Sequence, residues 1–341
     1  MWSPDKYLEN LYENTKPKFN FDVRHMDEYT RWRDGLREVF TRVLGEFPKQ
    51  KVDLNPRIIE EREYPDYLLQ RVVYYADADL PIPAYVLKSK NATGKLPAVI
   101  ACHGHGYGSK EIVGLNPDGT ENYYNPGYQQ NFAIELKKRG FLVIAPDLLG
   151  FGDRRLDADR NKNPNESSCH IISTYLLMLG KTMAGLRVYD IMRTIDYLET
   201  RDDVDINRIG CMGISGGGLV CGFTTALDDR IKAAVISGYT NTFKDSVMSI
   251  WHCVDNFVPK LVNYAEMPDI LGLIAPRPLL IESGKSDPIF PIEAAKKAYE
   301  KIKEIYKFLD AQDKIDSDFF DGQHEISGAK AYDWLEKWLK A

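Results

Sequence analysis

The stretch "RIGCMGISGGGLVCGF", residues 208–223, joins an apolar run to a turn that holds four glycines and one serine. The residues before the turn are typical of a buried strand, and those after it are typical of a helix. Ser215 is the centre of a Gly-x-Ser-x-Gly pattern that runs from Gly213 to Gly217. A sharp strand-to-helix turn of this kind holds a nucleophilic serine beyond the end of a sheet, and its neighbours are small because the two backbones pass close together. The alternative is a glycine-rich loop whose serine only caps the helix.

The segments on both sides of this turn alternate between short apolar runs and helical patterns. Continuous apolar runs are typical of strands that are buried on both faces, and their alternation with helices predicts a mostly parallel sheet covered by helices. A weaker last strand is predicted within residues 313–325, ahead of a closing helix. The predicted core strands lie within the runs 96–104, 141–147, 208–214, 231–238 and 277–284.

The whole chain, residues 1–341, is predicted to form a single domain of the α/β class. Residues 1–65 are interpreted as a helical N-terminal extension, because apolar residues recur at helical spacing between Tyr29 and Val43. Residues 67–89 follow as a predicted β-hairpin. Residues 239–274 break the alternation, and they are interpreted as an insertion after the sixth strand that shapes the substrate pocket.

Composition excludes several classes of function. The 341-residue chain carries a net charge of −6 and has no basic run, so nucleic acid is not an expected partner. Apolar residues make up 44% of the chain, but no stretch has the length of about 20 apolar residues that a membrane span needs. The N-terminus lacks the apolar core of a signal peptide. The five cysteines show no C-x-x-C pairing, which favours reduced thiols and a cytoplasmic location.

A nucleophilic serine needs a base, and in this strand-to-helix architecture the chain order is serine, then acid, then histidine. Only His252 and His324 follow Ser215 in the sequence. His324 comes after the predicted last strand, where the carboxyl edge of the sheet is expected, and it is therefore the predicted base. His252 lies in the irregular insertion and is interpreted as a pocket or core histidine.

The acid that orients this base is expected after the preceding strand. Asp287 follows that strand and its turn directly, and it is the predicted acid. Its alternative role is that of a turn residue ahead of Pro288. Glu282 lies inside the predicted strand, and Asp321 is too near His324 in sequence to be the usual partner.

The loop "CHGHGYG", residues 102–108, follows the first core strand and is predicted to complete the site. An oxyanion hole needs two backbone N–H donors, and those of His105 and Gly216 are the candidates. The competing interpretation is that His103 and His105 bind a metal ion. An H-x-H pair is weak evidence for a metal site, and no cysteine or aspartate cluster in the sequence completes a ligand set. The expectation is therefore no metal and no cofactor.

These segments together resemble the α/β-hydrolase superfamily, and within it the acetyl xylan esterases and the dienelactone-hydrolase-like esterases. The resemblance covers residues 96–325 and rests on "LPAVIACHGHGYG", "FLVIAPDLLGFGDR", "RIGCMGISGGG", "LIAPRPLLIESGKSDPIFPI" and "FDGQHE". It implies the α/β-hydrolase fold, a Ser215–Asp287–His324 catalytic triad and an oxyanion hole at His105 and Gly216. The cephalosporin C deacetylase branch carries Arg-Gly-Gln in the early loop and Gln after the serine. This chain has "HGHG" and Gly216 instead.

The predicted function is hydrolysis of short-chain acyl esters, such as those of acetylated carbohydrates, through an acyl-enzyme on the serine. The expected partner is a small-molecule ester, and the sequence leaves the natural substrate and the oligomeric state open. Trp251, His252 and Tyr264 are candidates for binding the substrate, and their alternative is to pack the insertion itself. Two other functions stay open: a serine peptidase resembling the prolyl oligopeptidase group, and a non-catalytic binding protein on the same fold.

Overall fold

A nine-stranded sheet runs through the computed structural model, which describes residues 2–122 and 124–340. The strand order is β1-β2-β3-β5-β4-β6-β7-β8-β9. The pairs β1–β2, β2–β3 and β3–β5 are antiparallel, and every other neighbouring pair is parallel. The strands are β1 (Arg57–Glu63), β2 (Tyr67–Asp77), β3 (Leu80–Ser89), β4 (Leu96–Cys102), β5 (Leu142–Pro146), β6 (Val204–Ile214), β7 (Ile231–Ser237), β8 (Leu279–Gly284) and β9 (Ile315–Phe320).

The sheet separates two hydrophobic cores, and helices cover it on both faces. Residues of α2, α6, α7, α8 and α9 belong to one core, and those of α3, α4 and α10 belong to the other. The helices are α1 (Asp5–Glu13), α2 (Met26–Val43), α3 (Ser109–Ile112), α4 (Phe132–Lys138), α5 (Cys169–Met178), α6 (Met183–Glu199), α7 (Gly216–Leu227), α8 (Met267–Gly272), α9 (Ile292–Phe308) and α10 (Ala331–Leu339).

Strand β4 shows why the core strands read as continuous apolar runs. Successive side chains of a strand point to opposite faces of the sheet. Ile100 and Cys102 therefore belong to the first core, and Val99 and Ala101 belong to the second. All four side chains are fully buried, so no position in this part of the strand faces water and each is occupied by an apolar residue.

Strand β1 corrects the prediction for the N-terminal extension. Residues 1–65 were expected to be helical, but Arg57–Glu63 pairs with β2 as an antiparallel edge strand. The segment "RIIEERE" is charged and almost wholly exposed, so it lacks the apolar alternation that identifies a half-buried strand. Because this strand adds one to the count, the 239–274 insertion follows the seventh strand rather than the sixth.

The N-terminal segment packs onto the same core as the sheet. The helical spacing predicted between Tyr29 and Val43 appears as α2, whose buried face includes Trp32. The Trp32 indole Nε1–H donates to the carbonyl oxygen of Phe19 at 2.8 Å. The Phe19 amide in turn donates to the carbonyl oxygen of Tyr264 at 2.7 Å, which ties this segment to the insertion.

Candidate active site

Ser215 lies between the end of β6 and the first residue of α7, where the sequence predicted a strand-to-helix turn. Its backbone has φ +58° and ψ −125°, a conformation that L-residues rarely adopt. The amide of Ser215 donates to the carbonyl oxygen of Ser237 at 3.0 Å, which anchors the turn to β7. Such strained residues persist only where their surroundings hold them, and they concentrate at functional sites.

The glycines around Ser215 are required by close backbone contacts. A Cβ atom on Gly217 would lie 2.0 Å from the carbonyl oxygen of Cys102. One on Gly213 would lie 2.2 Å from the carbonyl oxygen of Gly217. The backbones of β4, β6 and α7 therefore approach each other more closely than any side chain allows, which is the close approach expected at a sharp strand-to-helix turn.

His324 and Asp287 meet at the same edge of the sheet as Ser215. Asp287 follows β8 and His324 follows β9, and both strands run parallel to β6 through β7. The Nδ1 atom of His324 lies 2.7 Å from Oδ2 of Asp287. The other oxygen of Asp287, Oδ1, accepts the amides of Ile289 at 2.8 Å and Phe290 at 3.0 Å. The carboxylate is thus fixed by the backbone independently of the histidine.

The imidazole of His324 is held by two aromatic rings and keeps one nitrogen free for chemistry. Its ring stacks with those of Tyr128 and Phe290, at centroid distances of 5.6 and 5.7 Å. Nε2 of His324 has no hydrogen-bond partner among residues 2–122 and 124–340. His324 lines the same pocket as Ser215. In enzymes, the hydrogen bond between a nucleophile and its base often forms fully only when substrate is bound.

Glu282 is a buried carboxyl group that supports the segment carrying the histidine. It lies in β8, and its two carboxyl oxygens accept the amides of Ser327 at 3.0 Å and Gly328 at 2.9 Å. Burial raises the pKa of Glu282 to about 7, although these two backbone donors act in the opposite direction. Glu282 is the rival acid of the sequence prediction, and the contact with His324 belongs to Asp287 instead.

Hydrogen bonds of His103 and Tyr128 help to shape the loop after β4. His103 donates from Nδ1 to the carbonyl oxygen of Gly104 at 2.7 Å and accepts the Leu148 amide at Nε2, at 3.0 Å. The hydroxyl of Tyr128 donates to the carbonyl oxygen of His105 at 2.7 Å. Because both nitrogens of His103 are engaged and burial lowers its pKa to about 4, this histidine is a neutral structural group.

The two residues predicted to supply the oxyanion donors are neighbours in the structure. A Cβ atom on Gly216 would lie 3.3 Å from Nδ1 of His105, so the loop after β4 borders the first turn of α7. Within the described part of the chain, neither the His105 amide nor the Gly216 amide donates to a protein acceptor. Both N–H groups are therefore available to a ligand, as an oxyanion hole demands.

A pocket of about 320 Å³ is lined by Ser215, His105 and His324, together with residues of the insertion. Trp251 at its mouth is fully exposed, whereas both ring nitrogens of His252 are buried without a hydrogen-bond partner in the described residues. Burial lowers the pKa of His252. Tyr264, the third predicted substrate residue, is not part of the lining and packs against the core beneath the insertion. The lining residues are His105, Tyr128, Ser215, Ile250, Trp251, His252, Cys253, Ile289 and His324.

A buried ion pair adjoins the pocket behind His105. Arg187 donates from Nη1 to Oδ2 of Asp255 at 2.6 Å, and both side chains are almost fully buried. Burial acts to raise the pKa of Asp255, but the attraction of Arg187 outweighs it and holds that pKa below its usual range. The partners are 68 residues apart in sequence, so no local pattern signals the pair.

Similarity to known proteins fits this geometry. A sequence model of the Abhydrolase family matches residues 3–317. The chain belongs to the Abhydrolase family. It is 31% identical over 318 residues to YtaP of Bacillus subtilis (strain 168), which bears the provisional name of a hydrolase. That match covers 89% of this chain and 98% of YtaP.

Solved structures show the same fold as this Abhydrolase chain. A protein of Bacteroides fragilis NCTC 9343, provisionally named an acetyl xylan esterase, has a TM-score of 0.80 at 20% identity, covering 94% of this chain and 83% of its own. Acetyl xylan esterase 1 from Thermoanaerobacterium sp. JW/SL YS485 has a TM-score of 0.63 at 20% identity, with 97% and 98% covered. A glucuronoyl esterase from Solibacter usitatus has a TM-score of 0.66 at 14% identity, with 96% of each chain covered.

These likenesses confirm the predicted α/β-hydrolase fold and the predicted resemblance to acetyl xylan esterases. Among the described residues of this Abhydrolase family member, no helix is both long and apolar enough to cross a membrane. The cytoplasmic location stays a prediction.

Proposed function

We propose that this protein is a serine carboxylic-ester hydrolase that acts on short-chain acyl esters, such as those of acetylated carbohydrates. The observation that carries the proposal is the 2.7 Å contact between His324 Nδ1 and Asp287 Oδ2 beside a strained Ser215. Membership of the Abhydrolase family and the likeness to named carbohydrate esterases support the same class of reaction.

In the first half of the reaction, Oγ of Ser215 attacks the carbonyl carbon of the ester while Nε2 of His324 takes the hydroxyl proton. Asp287 fixes the imidazole with Nδ1–H toward the carboxylate and stabilises the imidazolium that forms. The amides of His105 and Gly216 donate to the negative oxygen of the tetrahedral intermediate. Collapse of this intermediate breaks the ester C–O bond, and His324 gives its proton to the departing alcohol.

In the second half, water attacks the acyl-serine and releases the acid. His324 takes a proton from the attacking water and later returns it to Oγ of Ser215, which restores the enzyme. All proton transfers run through one imidazole, so this route requires no other acid or base from the chain.

The size of the pocket supports a short acyl group. Its volume of about 320 Å³ lies near the lower end of the range for small-molecule sites, about 300–1,000 Å³. Ile250 and Ile289 give it apolar walls close to the serine. Trp251 offers a flat exposed surface at the mouth, where the alcohol portion of a larger ester can lie.

The test compares Ser215→Ala with a matched serine variant on p-nitrophenyl acetate. Ser249→Ala is the control, because Ser249 is exposed on the insertion and outside the pocket lining. We expect Ser215→Ala to lower kcat by at least about 10³-fold with an unchanged melting temperature, and Ser249→Ala to leave kcat unchanged. Retained activity in a folded Ser215→Ala protein contradicts the proposal.

A substrate panel tests the class of reaction. Rates on p-nitrophenyl esters of increasing acyl length and on acetylated sugars are expected to favour acetyl groups. Aminoacyl p-nitroanilides test the peptidase alternative, and turnover of those amides faster than of the esters would replace the esterase assignment. Labelling of Ser215 by a fluorophosphonate probe tests the non-catalytic alternative, because a binding protein without an activated serine does not react.

A further inference from the structure

Four side chains of types that can ligate a metal converge beside the active-site pocket, and two of them, His105 and Cys253, line it. They are His105 from the loop after β4, Cys169 from the start of α5, and Cys253 and Asp255 from the insertion. One donor atom from each lies within 4.8 Å of the other three. These residues come from three separate parts of the chain, so only the fold brings them together.

The spacing of these donors is close to that of a tetrahedral metal site. Zinc bonds to nitrogen, oxygen and sulfur of about 2.0–2.3 Å place neighbouring ligand atoms about 3.3–3.8 Å apart in a tetrahedron. His105 Nε2 and Asp255 Oδ2 are 3.6 Å apart, within that range. No two of the four donor atoms are more than 4.8 Å apart, so the donors need to move inward by at most about 1 Å to reach tetrahedral spacing.

His105 provides an independent sign of a ligand. Its Nε2 atom is buried and has no hydrogen-bond partner among the described residues, although it faces the Asp255 carboxylate. Buried polar atoms in folded proteins are nearly always partnered, so an unpartnered nitrogen directed at a carboxylate and two sulfurs needs an explanation. A cation bonded to all four groups supplies one.

Arg187 balances the charge of such a site. It donates to Oδ2 of Asp255 at 2.6 Å and to Sγ of Cys169 at 3.1 Å, so it contacts two of the four donors from outside. Two thiolates and one carboxylate carry three negative charges, and a divalent cation together with the guanidinium carries three positive charges. Hydrogen bonds from outer groups to metal ligands are a regular feature of metal sites.

We propose that His105, Cys169, Cys253 and Asp255 form a binding site for a thiophilic divalent cation of the Zn²⁺ class. Sulfur and imidazole donors select Zn²⁺ over Mg²⁺ or Ca²⁺, which prefer oxygen. Cys253 is half-exposed and lines the active-site pocket, which gives the ion a route of access. The bound cation joins the oxyanion loop, α5 and the insertion at one point. This site is not an H-x-H site, because His103 takes no part in it.

The experiment uses Co²⁺ as a spectroscopic probe on the full-length protein, reduced and freed of metal with a chelator. We expect one equivalent of Co²⁺ to bind with a thiolate-to-cobalt charge-transfer band, and Zn²⁺ to displace it. Zn²⁺ is also expected to raise the melting temperature of the wild type. Absence of the charge-transfer band in the reduced protein overturns the proposal. So does re-formation of a Cys169–Cys253 disulfide in the presence of Co²⁺ with no metal bound.

Two variants make the assignment specific. Cys253→Ser removes a half-exposed donor and is expected to lower Co²⁺ affinity at least about tenfold. Cys169→Ser combined with Cys253→Ser is expected to abolish the charge-transfer band, although the buried thiols of Cys102, Cys211 and Cys221 remain. An unchanged band in either variant refutes the site. Ser215→Ala is expected to bind Co²⁺ as the wild type does, so this test stands apart from that of the esterase.

Discussion

At the scale of single residues, the stability of this protein depends on the charge state of Glu282. Burial places the pKa of its carboxyl group at about 7, above that of a glutamate in an unfolded chain, so the folded state binds the proton more tightly. Its contribution to stability is therefore complete below about pH 4.5, and it is lost as the pH rises through about 7. Over the same pH interval, the Glu282 carboxyl group that accepts the amides of Ser327 and Gly328 becomes negatively charged.

The prediction concerns Glu282→Gln, which cannot ionise. Between pH 4.5 and 7, the free energy of unfolding of the wild type is expected to fall relative to this variant by up to about 3 kcal/mol. Urea unfolding at several pH values measures it, with Glu304→Gln at an exposed site as the control. If Glu282→Gln and the wild type change in parallel over this interval, the carboxyl group does not titrate there.

A local motif together with chain order selects the three residues of the proposed triad. Ser215 follows from a glycine pattern, and Asp287 and His324 follow from their places after successive strands. The role of Glu282 could not be predicted, because its partners are backbone amides about 45 residues away that leave no mark in the sequence. Tyr264 was a candidate for binding substrate, but it packs against the core and does not line the pocket. The sequence cannot distinguish these roles, since an aromatic residue in the insertion is equally suited to pocket or core.

At the scale of elements, the close packing of β4, β6 and α7 requires glycine at position 217 more strictly than at position 216. A Cβ atom on Gly217 would lie 2.0 Å from the Cys102 carbonyl oxygen, whereas one on Gly216 would approach nothing nearer than His105 Nδ1, at 3.3 Å. Neither glycine has a positive φ, so the difference is one of space alone.

We expect Gly217→Ala to lower the free energy of unfolding by more than about 3 kcal/mol, because a backbone oxygen cannot move aside as a side chain can. Gly216→Ala is the matched control, and its effect on stability is expected to stay below about 1 kcal/mol. Thermal unfolding of both variants provides the comparison. Equal melting temperatures would mean that the helix can shift away from β4 without cost.

The sequence identified the parallel core strands because their burial on both faces requires continuous apolar runs, as in β4. It failed at β1, whose formation depends on backbone pairing with β2 and not on burial of its own charged side chains. Edge strands often carry such charges because exposed apolar edges promote aggregation. A strand of this kind cannot be told from a charged loop without its partner.

At the scale of the whole molecule, the N-terminal extension is expected to unfold together with the sheet. Phe40 of α2 is fully buried, and its ring packs edge-to-face on Phe223 of α7, with centroids 4.9 Å apart. Helix α7 begins directly after Ser215, so the extension supports the proposed active site through one layer of packing. That the chain forms a single domain stays a prediction.

The expected outcome is one calorimetric transition that coincides with the loss of esterase activity on heating. Phe40→Ala is expected to lower stability by about 3–5 kcal/mol and to move both midpoints together. Trp2→Ala, at a fully exposed position, is the control that leaves both unchanged. A separate early transition that spares activity would show that the extension is an independent unit.

The stacking of His324 on Tyr128 and Phe290 has a consequence for chemical complementation. Removing the imidazole by His324→Ala leaves two aromatic walls and an Asp287 carboxylate that backbone amides still hold in place. Free imidazole has the shape of the missing ring and can donate the same hydrogen bond to Asp287. Added imidazole is therefore expected to raise the esterase rate of this variant at least about tenfold, with saturation, and to leave Ser215→Ala inactive. A protein whose base can be supplied from solution becomes an enzyme that a small molecule switches on.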